Sequence, residues 1–239
     1  MTILLGSVFP DFSAETNAGQ IESFHEWIGS SWAILFSHPN DFTPVCTTEL
    51  ARAAELNDEF KKRDVKLIAL SCDNAESHRQ WIPDIIEYCQ KNKTAEECGE
   101  GDAKKCCSSK NGFPFPIIAD ENRVLANKLG MLDPDEKDAS GSPVTARAVF
   151  VIDPSKRMKL KILYPATTGR NFDEILRVVD SLQLTAAKKV ATPVDWKQGD
   201  KCMVIPTLSE DEAAKLFGDQ IEAVELPSGK KYIRKTQVD

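Results

Sequence analysis

A threonine, a proline and a cysteine in the run Thr43-Pro44-Val45-Cys46 stand where a loop becomes a long helical pattern. Thr43 is a residue type that caps helix N-termini, and Pro44 suits the first helical position, where its missing N–H is no loss. Cys46 then takes the third position of the first turn, facing unpaired backbone N–H groups and the positive end of the helix dipole. Such a setting lowers a thiol pKa from about 8.5 into the range of roughly 3.5–7.5, which makes the sulfur a nucleophile at neutral pH. Thr43 lies three residues before Cys46, so its hydroxyl can reach the sulfur or an oxygen brought to it. Pro39 and Pro44 stiffen the loop and remove N–H groups that would otherwise need partners. Arg147 adjoins the apolar run Ala148-Val-Phe-Val-Ile, where a lone charge is costly without a partner. A guanidinium aimed at Cys46 would keep the thiolate charged and orient an oxygen substrate.

The remaining chemistry-bearing residues read more plainly. There are seven cysteines, an odd count in a chain whose first residues lack the basic and apolar regions of a secretory signal. They read as reduced thiols of a cytoplasmic protein, not as a disulfide frame. Cys98, Cys106 and Cys107 lack paired C-x-x-C spacing and have no histidine nearby, so no metal site is expected. Cys72 reads as a small core hydrophobe, Cys89 and Cys202 as structural or idle thiols. His78 reads as a solvated residue on a polar helix face.

The elements that must position Cys46 alternate along the chain. Trp32-Ala-Ile-Leu-Phe reads as a buried strand feeding the Pro39–Cys46 loop. A helix is expected from Pro44 to about Lys62, with Leu50, Ala53, Ala54 and Phe60 inward and basic residues at its end. Val65–Cys72 reads as a second buried strand. A helix follows with Trp81, Ile82, Ile85 and Ile86 on one side and a bend at Pro83. Cys89–Gly112 is polar throughout and reads as a surface insertion. Phe113–Ala119 resumes as a strand, followed by a short helix with Val124, Leu125 and Leu129 inward and Gly130 as its stop. Arg147–Ile152 and Lys159–Tyr164 read as a hairpin, and a strong helix begins near Asn171. This pattern implies an α/β, three-layer domain with a mixed sheet over residues 1–184. Leu184–Val194 reads as a linker. Residues 185–239 read as a small α+β extension, with a capping box at Ser209/Glu212 and a hairpin turning at Pro227-Ser-Gly-Lys. So small a module is expected to dock on the main domain or on a partner subunit.

Composition bounds the function. The formal charge of −7 and pI near 5.2 argue against nucleic acid or an anionic membrane surface as a general partner. No apolar run is long enough to span a bilayer.

The spacing Pro39-x-x-x-Thr43-x-x-Cys46 with the later Arg147 resembles the peroxiredoxin active site. The resemblance extends through Ser37-His38-Pro39-x-Asp41-Phe42-Thr43-Pro44-Val45-Cys46-Thr47-Thr48-Glu49-Leu50 and Pro143-Val144-Thr145-Ala146-Arg147. It continues through Leu163-Tyr164-Pro165-Ala166-Thr167-Thr168-Gly169-Arg170-Asn171 and Ala191-Thr192-Pro193-Val194-Asp195-Trp196. These runs are similar to the one-cysteine (peroxiredoxin 6) branch, and the likeness covers nearly the whole chain apart from Cys89–Gly112. It implies a thioredoxin-like fold with a C-terminal extension, a homodimer or higher oligomer, and at most peripheral phospholipid contact. It also implies reduction of hydrogen peroxide, alkyl hydroperoxides and phospholipid hydroperoxides without a bound cofactor. By position, Cys46 is the peroxidatic nucleophile, Thr43 and Arg147 bind the peroxide oxygens, Pro39 shields the pocket and His38 lines it.

In two-cysteine relatives a C-terminal cysteine-proline pair supplies the resolving thiol. Here Thr192 precedes Pro193, which implies an external reductant, with glutathione, delivered with a glutathione transferase, as the usual candidate in the branch and ascorbate also proposed. Cys98, Cys106 and Cys107 read as surface thiols in preference to an internal resolving thiol. Relatives are also described as hydrolysing phospholipids through a Gly-Asp-Ser-Trp-Gly serine. That motif reads Gly29-Ser30-Ser31-Trp32-Ala33 here, with His25 nearby and Ser155 at the family's acid position, two residues from Asp153. Ser31 and His25 therefore read as a loop serine and an ordinary histidine rather than as a lipase pair. The rivals to a Cys46 peroxidase are that hydrolase and a redox-sensing oligomer.

Overall fold

The computed structural model describes residues 3–91 and 112–238. The chain divides into two compact units, Met1–Phe172 and Asp173–Asp239.

The first unit is built on a seven-stranded mixed sheet. Its elements run β1 (Ala14–Thr16), β2 (Gly19–Ile21), α1 (Phe24–Ile28), β3 (Trp32–Ser37), α2 (Pro44–Glu55), α3 (Asn57–Lys62), β4 (Val65–Ser71) and α4 (Ala75–Lys91). Then follow β5 (Ile117–Ala119), α5 (Val124–Leu129), β6 (Leu132–Lys137), β7 (Pro143–Thr145), β8 (Arg147–Ile152) and β9 (Met158–Tyr164). The sheet order is β2-β1-β5-β4-β3-β8-β9. The β3–β4 and β4–β5 pairs are parallel, and β8 lies antiparallel to β3 with Phe36 opposite Val149.

Strands β3, β4 and β8 are buried nearly end to end, as their continuous Ile/Val/Leu/Phe runs require for a sheet covered on both faces. Ala33, Leu35, Ile68, Leu70, Ala148 and Phe150 share one core with Phe24 and Ile28 of α1 and Leu125 and Leu129 of α5. The alternate residues Phe36 and Val149 point to the opposite face. The fold is the α/β domain with a mixed sheet that the sequence pattern implied, in the thioredoxin-like arrangement that the resemblance implied.

Several elements depart from expectation. The helix from Pro44 ends at Glu55. Leu56 has φ −84° and ψ 2°, and its N–H bonds the carbonyls of Arg52 and Ala54, so a separate short helix begins at Asn57. Pro83 lies inside an unbroken α4, whose buried stripe is Ala75, His78, Trp81, Ile85 and Cys89. His78 is therefore core, not solvated as expected. Val124 is 64% exposed and is not an inward residue of α5. Cys89 is disulfide-bonded, against the expectation of reduced thiols throughout; Cys46, Cys72 and Cys202 are the free cysteines among the described residues. Cys98, Cys106 and Cys107 lie outside the described residues.

In the second unit, α6 (Phe172–Ala187) carries on through the first residues of the expected linker, which ends in β10 (Val190–Ala191). A small antiparallel sheet pairs β10, β11 (Cys202–Val204), β13 (Arg234–Thr236) and β12 (Glu222–Ala223) in that order, with α7 (Glu210–Phe217) between β11 and β12. The capping box forms: Ser209 accepts from the Glu212 N–H while Glu212 accepts from the Ser209 N–H. Val190, Trp196 and Cys202 form the unit's buried cluster.

Candidate active site

Cys46 sits in the first turn of α2, at its third residue, and is completely buried. The turn begins as expected: Thr43 is the N-cap with extended backbone, and Pro44 is the first helical residue. One detail differs. The Thr43 side chain makes no capping bond; its hydroxyl donates to the Asn40 carbonyl at 2.9 Å. The loop before it turns sharply at Phe42, whose φ of +53° lies in the left-handed region.

Arg147, the first residue of β8, is brought to Cys46 because β8 pairs with β3 and β3 runs into the cysteine loop. Its Nη1 lies 3.4 Å from the Cys46 sulfur. Two further bonds from Nε and Nη2 to the Ala166 carbonyl, at 2.9 and 2.6 Å, fix the guanidinium plane. Ser37 tethers the strands here, donating to the Ala146 carbonyl at 2.6 Å and accepting from the Ala148 N–H at 3.0 Å.

Two residues of the site carried no assigned role in the sequence reading. Glu49, one turn after Cys46, is buried and accepts from Arg147 Nη1 at 2.7 Å. It also accepts from Arg170 through the backbone N–H, Nε and Nη2, at 2.7 to 2.9 Å. The Arg170 guanidinium lies over the Phe36 ring at 5.2 Å. Burial alone would raise the Glu49 carboxyl, but the Arg170 and Arg147 charges outweigh it and hold it below the ordinary carboxylate range. Two guanidinium cations thus face one carboxylate in a closed space. One positive charge is left unbalanced beside the Cys46 sulfur.

Pro39 and His38 are both buried at the end of β3. His38 Nε2 bonds Asp41 Oδ1 at 2.9 Å, and its ring lies 5.2 Å from that of Trp81. Trp81 in turn donates from Nε1 to Thr47 Oγ1 at 3.3 Å, beside Cys46. Among the described residues, His38, Asp41 and Asp73 form the one group with metal-ligand spacing. Asp41 and Asp73 are already engaged by protein donors, from His38, His78 and Ser77 to the first and from Ser71 and the Asp41 N–H to the second.

The family model described as the AhpC/TSA family matches residues 5–161, and that of the C-terminal domain of 1-Cys peroxiredoxin matches residues 181–220. The chain is 67% identical over 233 residues to a 1-Cys peroxiredoxin of Dirofilaria immitis, covering 97% of this chain and 96% of that one. The chain belongs to the AhpC/TSA family, in its one-cysteine peroxiredoxin branch. It is also 61% identical to Peroxiredoxin-6 of Homo sapiens, over 98% of this chain and 97% of that one. The crystal structure of a cysteine-to-serine mutant of the Peroxiredoxin 6 of Arenicola marina superposes with a TM-score of 0.87 at 55% identity, covering 98% of each chain. A yeast mitochondrial 1-Cys peroxiredoxin, studied for thiol resolving via glutathione/thioredoxin systems, has a TM-score of 0.83 at 41% identity, covering 99% of this chain and 100% of that one. Peroxiredoxins of this branch are thiol-dependent peroxidases, and this chain is an oxidoreductase of that class.

The alternative hydrolytic array is not assembled in this peroxiredoxin. Ser31 Oγ donates to Asp64 at 2.6 Å. His25 Nε2 lies 2.7 Å from the Phe9 carbonyl oxygen, which can only accept, so that nitrogen carries a proton and is no base. Asp153 is taken up by Ser155 and the Arg157 N–H. Among the described residues, no helix is long and apolar enough to cross a membrane.

Proposed function

We propose that this peroxiredoxin reduces hydrogen peroxide, alkyl hydroperoxides and phospholipid hydroperoxides through Cys46 as the peroxidatic nucleophile. The observation that carries the assignment is the Arg147 guanidinium 3.4 Å from the buried Cys46 sulfur, with two cations facing the single Glu49 carboxylate. The thiolate attacks one peroxide oxygen. The S–O bond forms, the O–O pair leaves on the other oxygen, and that oxygen takes up a proton to give water or an alcohol. Cys46 is left as a sulfenic acid. Arg147 stabilises the charge that develops on the oxygens, and Thr43 accepts the peroxide hydrogen. Pro39 closes the pocket and His38 lines it.

Regeneration falls to an external thiol, and glutathione, presented with a glutathione transferase, is the candidate reductant. Thr192 supports this, since it stands where two-cysteine relatives carry their resolving thiol, and its hydroxyl pairs with Ser181 at 2.6 Å. We place the enzyme in the cytoplasm as a homodimer. The test is mass spectrometry after one equivalent of peroxide with a sulfenic-acid trap, together with Cys46→Ser and Cys202→Ser. Adduct on Cys46 and loss of activity in Cys46→Ser alone are expected. Equal loss in both variants, or adduct elsewhere, would overturn the assignment.

A further inference from the structure

The second unit carries an apolar face that none of its described residues covers. Along α7 the spacing Ala213, Leu216, Phe217 marks one helical stripe. Ala213 is buried, and Phe217 packs against the cluster of Val190, Trp196 and Cys202, but Leu216 is 56% exposed. Leu216 lines a cavity of about 400 Å³, and Ala187, Phe217 and Val238 supply the rest of its apolar lining. That volume is in the range of small-molecule sites. The wall at Val238 is held in place: the neighbouring Gln237 side chain donates to the Gly199 carbonyl at 3.0 Å, and Val238 packs on the same cluster as Phe217.

The polar part of the lining is cationic. Lys188 and Lys189 follow the last residue of α6, and Gln220 and Gln237 complete the wall. None of the described lining residues is acidic, and neither lysine has an ion-pair partner among the described residues. Two helix ends oppose this charge. Ala187 closes α6 and Phe217 closes α7, and each end brings about half a negative charge to the cavity. The two ammonium groups outweigh them and leave about one positive charge over. A positive wall beside an apolar floor matches a ligand with an anionic head and a hydrocarbon tail. The space suits one acyl chain, not the paired chains of a phospholipid.

We propose that the second unit binds a single-chain fatty acid: Lys188 and Lys189 take its carboxylate, and its chain lies on Leu216, Phe217 and Val238. Burial of the chain drives binding, and the lysines select the sign of the head group. The binding is non-covalent, uses no residue of the Cys46 site and does not depend on the peroxidase reading.

Titration calorimetry of the reduced full-length protein with decanoate, kept below its micellar range, tests it. One decanoate per chain is expected. Decyltrimethylammonium, with the same chain and the opposite charge, should bind more weakly by about 10-fold or more. Lys188→Gln combined with Lys189→Gln should weaken decanoate by about 10-fold, the scale of two exposed ion pairs. Leu216→Glu places an acid in the lining at an exposed position, so the melting profile should stay as wild type while decanoate binding is lost. Carbon–proton spectra should show the methyl signals of Leu216 and Val238 moving as decanoate is added. No binding, equal binding of the two amphiphiles, or unchanged decanoate binding in these variants overturns the proposal. Cys46→Ser should bind decanoate as wild type does; binding lost there would put the ligand in the Cys46 pocket and overturn the site. Wild-type protein inert toward every peroxide would instead remove the assignment of Cys46 and leave the decanoate result standing.

Discussion

At the scale of single residues, the charge count around Cys46 decides what each side chain does. Replacing Arg147 with Lys keeps a cation but removes the planar fork that reaches Cys46, Glu49 and the Ala166 carbonyl together. The rate of Cys46 oxidation should fall by about 100-fold or more, the usual loss when one preorganised donor is removed, and stopped-flow kinetics would measure it. Removing Glu49 leaves two buried guanidiniums without their counter-charge. Glu49→Ala should cost about 3–5 kcal/mol of stability in denaturant melts. The pH dependence follows from the sign of the shift. The Glu49 carboxyl is held below the ordinary glutamate value in the folded protein. Its contribution is thus complete above that value and fades as pH falls through the folded one. Wild-type stability should drop more steeply with acidification below about pH 5 than that of Glu49→Gln, and a smaller or equal wild-type slope would contradict the network. Arg147 was legible in the sequence because a charge opening an apolar strand needs a partner. Glu49 was not, because it is one of several acids on α2. The available signal was spacing: it lies three residues after Cys46, on the stripe that continues to Leu50 and Ala53. His78 was misread for the same reason, although it lies three residues before Trp81.

At the scale of elements, the continuous apolar runs were readable and the polar hairpins were not. β3, β4 and β8 announce themselves because strands buried on both faces must be apolar at every position. β6, with the sequence Leu-Asp-Pro-Asp-Glu-Lys, carries no such signal. It is held instead from outside: Arg123 donates to the Pro143 carbonyl at 2.8 Å and pairs with Asp138. The α5 start was equally hidden. Arg123 occupies its N-cap position at φ +57°, and Asp120 caps the helix from upstream by accepting the Leu125 and Ala126 N–H groups. The capping box of α7 was legible because it is written in four residues. Ser209→Ala should cost about 1 kcal/mol, seen as a lower denaturation midpoint with an unchanged slope. A loss too small to resolve would mean that water caps α7 as well as Ser209 does.

At the scale of the whole molecule, the decisive fact is that Cys46 has no exposed surface while remaining free. Hydrogen peroxide is small enough to enter a closed pocket; a bulky thiol reagent, like a bulky hydroperoxide, reaches the sulfur only when the first turn of α2 opens. In the reduced protein, maleimide labelling of Cys46 should be limited by opening of the first turn of α2 and should accelerate in mild denaturant. Oxidation by hydrogen peroxide should not accelerate. Fast maleimide capture in native buffer would show that the pocket is open. Cys72 offers an internal control: it is half-buried, and burial pushes its thiol up to about 11, so it should label slowly at neutral pH for a different reason.

The Thr43 hydroxyl carries one further consequence. Its single hydrogen is committed to the Asn40 carbonyl, so toward any visiting oxygen it offers lone pairs alone. A visitor must bring its own hydrogen to be held there. Hydroperoxides have one; dialkyl peroxides have none. Diethyl peroxide should therefore be refused while its isomer tert-butyl hydroperoxide is turned over, a discrimination resting on one hydrogen rather than on bulk.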